Sequence, residues 1–245
     1  MKVLLFQFFP PTIWSRGGGE TYLECVRREL PNAGIEAEVL NLEKPQRDFD
    51  LLHVFGSTHE VSGLVSVGAA MGKPVMVSPI CLSSKPAIVW KAARLIDRLI
   101  PFPTVYSYRQ KIYEHATRLF PSSRIMAAQL QKYFGVPHSK MRIVHLGADD
   151  AVGRANATDF VNVYGIEGFV LEVGRVNSRK GQSRLIRALK GTGIPIVFIG
   201  PLDPSDETGC REFLGLVEQN QAQCHYLGPI YDKRILYGAY HAAKV

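Results

Sequence analysis

The chain has 245 residues, 46% of them apolar and 21% charged, with a formal net charge of +7. That profile fits a folded chain of one large domain or two ordinary ones. It excludes a membrane span, since no apolar run approaches the ~20 residues one requires. The positive balance suits an anionic ligand, a nucleic acid or an anionic membrane surface, and does not choose among them.

The N-terminus, MKVLLFQFFPP, carries one Lys and a short apolar run but no small-residue cleavage site. Pro10 and Pro11 interrupt it, so it reads as a first β-strand over 2–8 and not as a signal peptide. Further apolar, β-branched runs place strands at 36–42, 51–55, 74–79, 117–121 and 142–146. Helices are predicted between them over 18–31, 60–72, 86–100, 104–115 and 123–134. In the first, Tyr22, Val26 and Leu30 share a face, and Gly34 stops it after Pro31. Six strands with crossover helices make a doubly wound parallel sheet over 1–148. The polar stretch 149–168 has weak periodicity and is expected to be a connector. The alternation then restarts, with strand 169–173, helix 181–190, strand 195–199, helix 207–220, strand 224–227 and helix 232–243. The expected architecture is therefore α/β, with a second, partial Rossmann-like domain over 169–245. Three βα units are half of such a sheet, which predicts an exposed edge and apolar face and a chain that is a fragment of a longer protein.

Cys25, Cys81, Cys210 and Cys224 are scattered. No C-x-x-C pair indicates zinc or redox chemistry, and the pattern reads as reduced and cytosolic. Neither an RNP-like aromatic motif nor a Cys/His finger supports nucleic-acid binding.

Two stretches carry chemistry. In FVLEVGRVNSRKGQSRL, Gly174 ends a strand, and Arg175, Arg179 and Lys180 gather before Gly181 and a helix N-terminus. That end of a helix already carries partial positive charge, so added cations destabilise it unless an anion sits among them. Backbone N–H groups, a bidentate Arg and a Lys point charge suit a phosphate. A solvated basic turn is the other reading. The second stretch is Gly17-Gly18-Gly19-Glu20 after the first strand. It offers close backbone access to a bulky anion, or it is a flexible loop. It is neither G-x-G-x-x-G nor a Walker A loop, which removes support for a nicotinamide-dependent oxidoreductase. Two such helix starts, each after a domain's first strand, describe phosphate held from both sides of an interdomain cleft.

These pieces, in order, resemble the retaining glycosyltransferases of family 4, which have the GT-B fold. GGGE resembles that family's Gly-Gly-x-Glu loop, DLLHVFG (50–56) its Asp-hydrophobic-His strand, and KPVMVSP (73–79) its Lys-Pro-Val-Val strand. Leu146-Gly147-Ala148-Asp149, LEVGRVNSRKG and CHYLGPIYDKRILYGAYHAAKV resemble later signatures. The resemblance implies a nucleoside-diphosphate sugar as donor, a glycan or lipid-linked acceptor, no metal cofactor, and a cytoplasmic place in cell-envelope polysaccharide biosynthesis. Gly17, Gly18 and Gly19 would lie at the diphosphate with Gly174, while Arg175 and Lys180 would neutralise it as the sugar leaves. Ile230 and Asp232 match positions bordering base and ribose. The family's His after the fourth strand is missing, since the strand ends Ser78-Pro79-Ile80. A Glu-x7-Glu motif would be expected beyond Val245. His53 and His59 are acceptor-side candidates, with a structural role favoured for both. A non-catalytic binding module is the alternative to an enzyme.

Residues 88–100 form an amphipathic helix, with Ile88, Val89, Ala92, Ala93, Leu95, Ile96, Leu99 and Ile100 on one arc and Lys91, Arg94, Asp97 and Arg98 on the other, Trp90 among them. The favoured reading packs the apolar arc on the sheet and leaves the basic face in water. The other is a peripheral membrane contact.

Overall fold

The computed structural model describes residues 1–8, 17–44, 46–80, 83 and 85–245. Pro10, Pro11 and Cys81 lie outside the described residues. The chain folds into two compact units, Met1–Gly147 and Ala148–Val245.

The first unit holds a parallel five-stranded sheet. Its strands are β1 (Lys2–Gln7), β2 (Glu36–Val39), β3 (Leu51–Phe55), β4 (Val75–Ser78) and β5 (Arg118–Leu119), in the spatial order β2-β1-β3-β4-β5. Side chains alternate along β1. Val3 and Leu5 join Leu23 of α1 (Gly18–Glu29) and Phe55 in one core. Leu4 faces the opposite core with Leu52, Val54 and Val77. That second core takes in α2 (Ser62–Ala70), α4 (Val105–His115) and α5 (Arg124–Phe134) through Val65, Ile112 and Leu130. Helix α3 (Ala87–Leu99) has no fully buried residue. Local chemistry sets the helix ends. The Thr104 hydroxyl accepts from the amides of Tyr106 and Ser107, and Gly135 closes α5 at φ 69°.

The expected sixth strand, 142–146, does not form. Met141 makes a single parallel bridge to Leu119, and the amides of Arg142 and Val144 donate to the carbonyls of Leu119 and Pro121. Pro121 has no N–H to return, so the ladder stops.

The second unit holds β6 (Val170–Val173), β7 (Ile196–Ile199) and β8 (Cys224–Tyr226), parallel and in that spatial order. Helices α7 (Gln182–Leu189) and α8 (Glu207–Gln219) cover one face through Ile186 and Phe213. The expected connector is not one. Asn156 caps α6 (Ala157–Tyr164) by accepting from the Thr158 amide, and Gly165 ends it at φ 66°. Phe160 of α6 packs with Phe169, Val197 and Ala239 of α9 (Lys233–Ala242) over the other face of the sheet. A Cβ at Gly238 would lie 2.8 Å from the Asn156 carbonyl oxygen, so only glycine allows the two helices to approach this closely. The expected exposed apolar face is thus covered by the segment read as linker. After α9 the chain returns to the free side of β6, where Lys244 N–H donates to Phe169 O and Leu171 N–H to Val245 O.

Candidate functional site

In an open parallel sheet, ligands bind outside the carboxyl ends of the strands where the strand order reverses. In the second unit the order β6-β7-β8 has no such reversal among the described strands, and the candidate point is the carboxyl end of the edge strand β6. β7 and β8 lie on one side of it, and residues 244–245 lie on the other. Gly174 and Arg175 leave the sheet there.

The ladder continues past the strands as a rigid platform. Gly174 N–H donates to Ile199 O at 2.8 Å, and Val176 N–H to Pro201 O at 2.9 Å. Gly200, at φ 147°, is held by Gly228 O at 2.9 Å. Buried Gln182, in the first turn of α7, donates to Arg175 O and accepts from Asn177 N–H. Asn177 in turn accepts from Lys180 N–H at 3.0 Å through its side chain and donates to Asp203 at 2.9 Å. Gly181, at φ 89°, leads into α7. Arg175 is half-buried, and Arg179 and Lys180 are exposed. The Lys180 ammonium folds back over Gly174, where a Cβ would meet Nζ at 3.9 Å.

Carboxylates organise this loop. Burial raises the pKa of Asp203, but hydrogen bonds from Ser205 and Asn177 and the Arg175 charge outweigh it, so the net shift is down. Asp206 is also held low, by the Ser178 hydroxyl first and then by the amides of Ser178 and Gly209. Burial raises the Glu172 carboxyl, against the opposing charge of Lys180. The site is therefore a strand end, a tied loop and a helix N-terminus carrying cations, which is the arrangement a phosphate requires.

Asp232 caps α9, accepting from Arg234 N–H at 2.8 Å. Ile230 packs its side chain into the α6–α9 core. Between them Tyr231 is 81% exposed, a ring that sequence reading passed over. Asn177, Gln182 and Asp203 were also passed over. Only Asp203, a buried acid on the loop after β7, carries a signal that pairs with a basic loop. Asp149 is occupied within its own unit, accepting from Tyr237 O–H at 2.9 Å, with Lys233 at 3.6 Å.

In the first unit the strand order reverses between β1 and β3, and α1 starts beside that point. The Glu20 carboxylate turns back to accept from Gly17 N–H at 2.7 Å and from the Gln7 amide at 3.2 Å. A Cβ on Gly19 would collide with the far end of the Gln7 side chain, which would have to swing away and give up its bond to Glu20. At Gly18 it would meet nothing within 4 Å. The structure thus places Gly19 against a movable side chain and leaves Gly18 in open space.

His53 lies inside β3 on the α1 face, stacked on Phe55, with Nε2 2.9 Å from Ser78 Oγ. Burial lowers its pKa to about 4. An unfolded imidazole titrates near 6.5. Between those values the unfolded chain holds the extra proton, so stability falls as pH drops through that window, by up to about 3 kcal/mol. We expect His53→Leu to flatten this acid limb, measured as urea stability at pH 7 and at pH 4.5. His59 is exposed beside Glu60 at 3.4 Å.

Among the described residues no cluster of three or more His, Cys, Asp or Glu side chains is placed to hold a metal ion. Among the described residues no helix is long and apolar enough to cross a membrane.

No family model and no curated protein matches the chain. Solved structures do. UDP-GlcNAc 2-epimerase from Methanocaldococcus jannaschii is 15% identical, with a TM-score of 0.57 over 100% of this chain and 77% of its own. Anabaena HepE in complex with UDP is 14% identical, with a TM-score of 0.61 over 96% of this chain and 71% of its own. A glycosyltransferase from Rickettsia africae is 12% identical, with a TM-score of 0.56 over 99% of this chain and 70% of its own. The fold is α/β of the GT-B type, built from Rossmann-like parallel-sheet units.

Proposed function

We propose that the chain serves a glycosyltransferase that moves a sugar, with retained configuration, from a nucleoside-diphosphate sugar to a glycan or lipid-linked acceptor. The observation carrying this reading is the tied loop from Gly174 to Gly181, with Arg175 and Lys180 at the carboxyl end of β6. The diphosphate would sit on those cations, with Tyr231 near enough in sequence to Ile230 and Asp232 to offer a stacking face to a base. Charge develops on the diphosphate as the glycosidic bond to the donor breaks, and preorganised cations stabilise that charge without reorganising. The reading assigns this task to Arg175 and Lys180 and needs no metal. Structures of similar fold that carry UDP or are named for UDP sugars support uridine as the base to test first.

Epimerisation of the donor sugar is the second reading, favoured by the 2-epimerase of similar fold. Both need a nucleotide site, so the first test is titration of the full chain with UDP in a calorimeter. Saturable binding is expected, and its absence would overturn both readings. Incubation with UDP-GlcNAc and UDP-glucose then separates them. Transfer requires an acceptor and releases UDP, whereas epimerisation yields a new UDP-sugar without one.

A further inference from the structure

Helix α3 packs the opposite way to its expected orientation. Its inner face is Trp90, Ala93 and Asp97. Trp90 stacks on Tyr133 at 5.5 Å and donates to Ser83 Oγ at 3.2 Å, and Asp97 accepts from the Thr104 hydroxyl. At 100° per residue, that leaves Ile88, Leu95, Ile96 and Leu99 pointing outward, with Lys91, Arg94 and Arg98 as an adjoining strip. Ile88 is 68% exposed, Leu99 74%, and Phe102, just past the helix, 73%. An apolar arc of this kind on one helix marks an interaction surface.

The charges identify the partner. The only acid of α3, Asp97, is turned inward, so every charged residue on its exposed side is a cation. A second copy related by a two-fold axis would bring those cations toward each other. An anionic lipid surface pairs with them while the neighbouring arc enters the acyl boundary. We infer that α3 and Phe102 dock this chain on anionic lipid, with Ile88, Leu95, Leu99 and Phe102 inserted and Lys91, Arg94 and Arg98 at the headgroup phosphates. This inference stands apart from the nucleotide site.

The test is flotation of the full chain with phosphatidylcholine vesicles and with mixed phosphatidylcholine–phosphatidylglycerol vesicles. Binding to the mixed vesicles is expected to be at least about ten-fold stronger, since each cation near an anionic surface contributes roughly five-fold. Leu95→Ser/Leu99→Ser and Lys91→Gln/Arg94→Gln/Arg98→Gln should each weaken it by about ten-fold or more. All these side chains are exposed, so thermal melting should stay unchanged. Flotation that is equal for the variants, or absent, overturns the proposal. A dimer in sedimentation that Leu95→Ser/Leu99→Ser dissociates, with no flotation, would assign the arc to a second copy instead.

Discussion

Lys180→Ala lowers turnover of the donor sugar by roughly 10²–10³-fold on the proposed function, and Arg175→Ala lowers it at least as much. The expectation rests on where the charges sit. Lys180 is exposed and its ammonium lies over Gly174, so removing it deletes a cation and leaves the fold intact. Arg175 is half-buried, and its charge also helps to keep Asp203 ionised. Its loss therefore removes the proposed phosphate contact and loosens the Asn177–Asp203 tie. Cations that act on charge developing in the transition state change kcat more than KM. Steady-state kinetics, with UDP affinity measured in parallel, separate that pattern from a simple loss of binding. Lys180→Arg, which keeps the charge, should recover part of the rate. Near-normal turnover in both alanine variants would remove these residues from their assigned roles, even if UDP still binds.

The alternation of strands and helices was legible because buried parallel strands are short apolar runs, and eight such runs became strands. The Gly174–Lys180 loop was legible because its glycine, cations and helix start are contiguous. What holds the loop was not. Asp203 comes from the loop after β7, a separation that no local pattern encodes. The 149–168 stretch contained its own helix signals, Asn156 as a cap and Gly165 as a stop, but the helix between them is only 8 residues long and its periodicity was weak. Helix α3 exposes a deeper limit. Periodicity locates an apolar arc but not the side of the helix the protein needs. Here stacking of Trp90 on Tyr133 and the inward Asp97–Thr104 hydrogen bond decide the orientation. The bond that Val144 N–H donates to the Pro121 carbonyl likewise shows a strand-like sequence stopped by its neighbour's missing N–H.

The largest loss of stability is expected from Gly200→Ala. Gly200 sits at φ 147°, a backbone region that side chains rarely adopt, and an added Cβ would overlap the Gly174 carbonyl oxygen and lie 2.6 Å from its carbon. Both atoms are backbone, and the Gly174 N–H to Ile199 O bond fixes them, so nothing can swing aside. Strain of about 1–3 kcal/mol from the backbone angle and a similar amount from the overlap give roughly 3–5 kcal/mol. For a chain of this size that lowers Tm by about 10 °C. Gly191→Ala is the control, because Gly191 is also left-handed, at φ 77°, but a Cβ there meets nothing within 4 Å. It should cost only about 1 kcal/mol. The contrast separates backbone strain from collision. A variant that survives the collision can do so only by pushing Gly174 and Arg175 away from the end of β7, so UDP affinity should fall with stability in Gly200→Ala and stay unchanged in Gly191→Ala. Equal melting temperatures for the two would mean that the ends of β6 and β7 are not held as closely as the ladder implies.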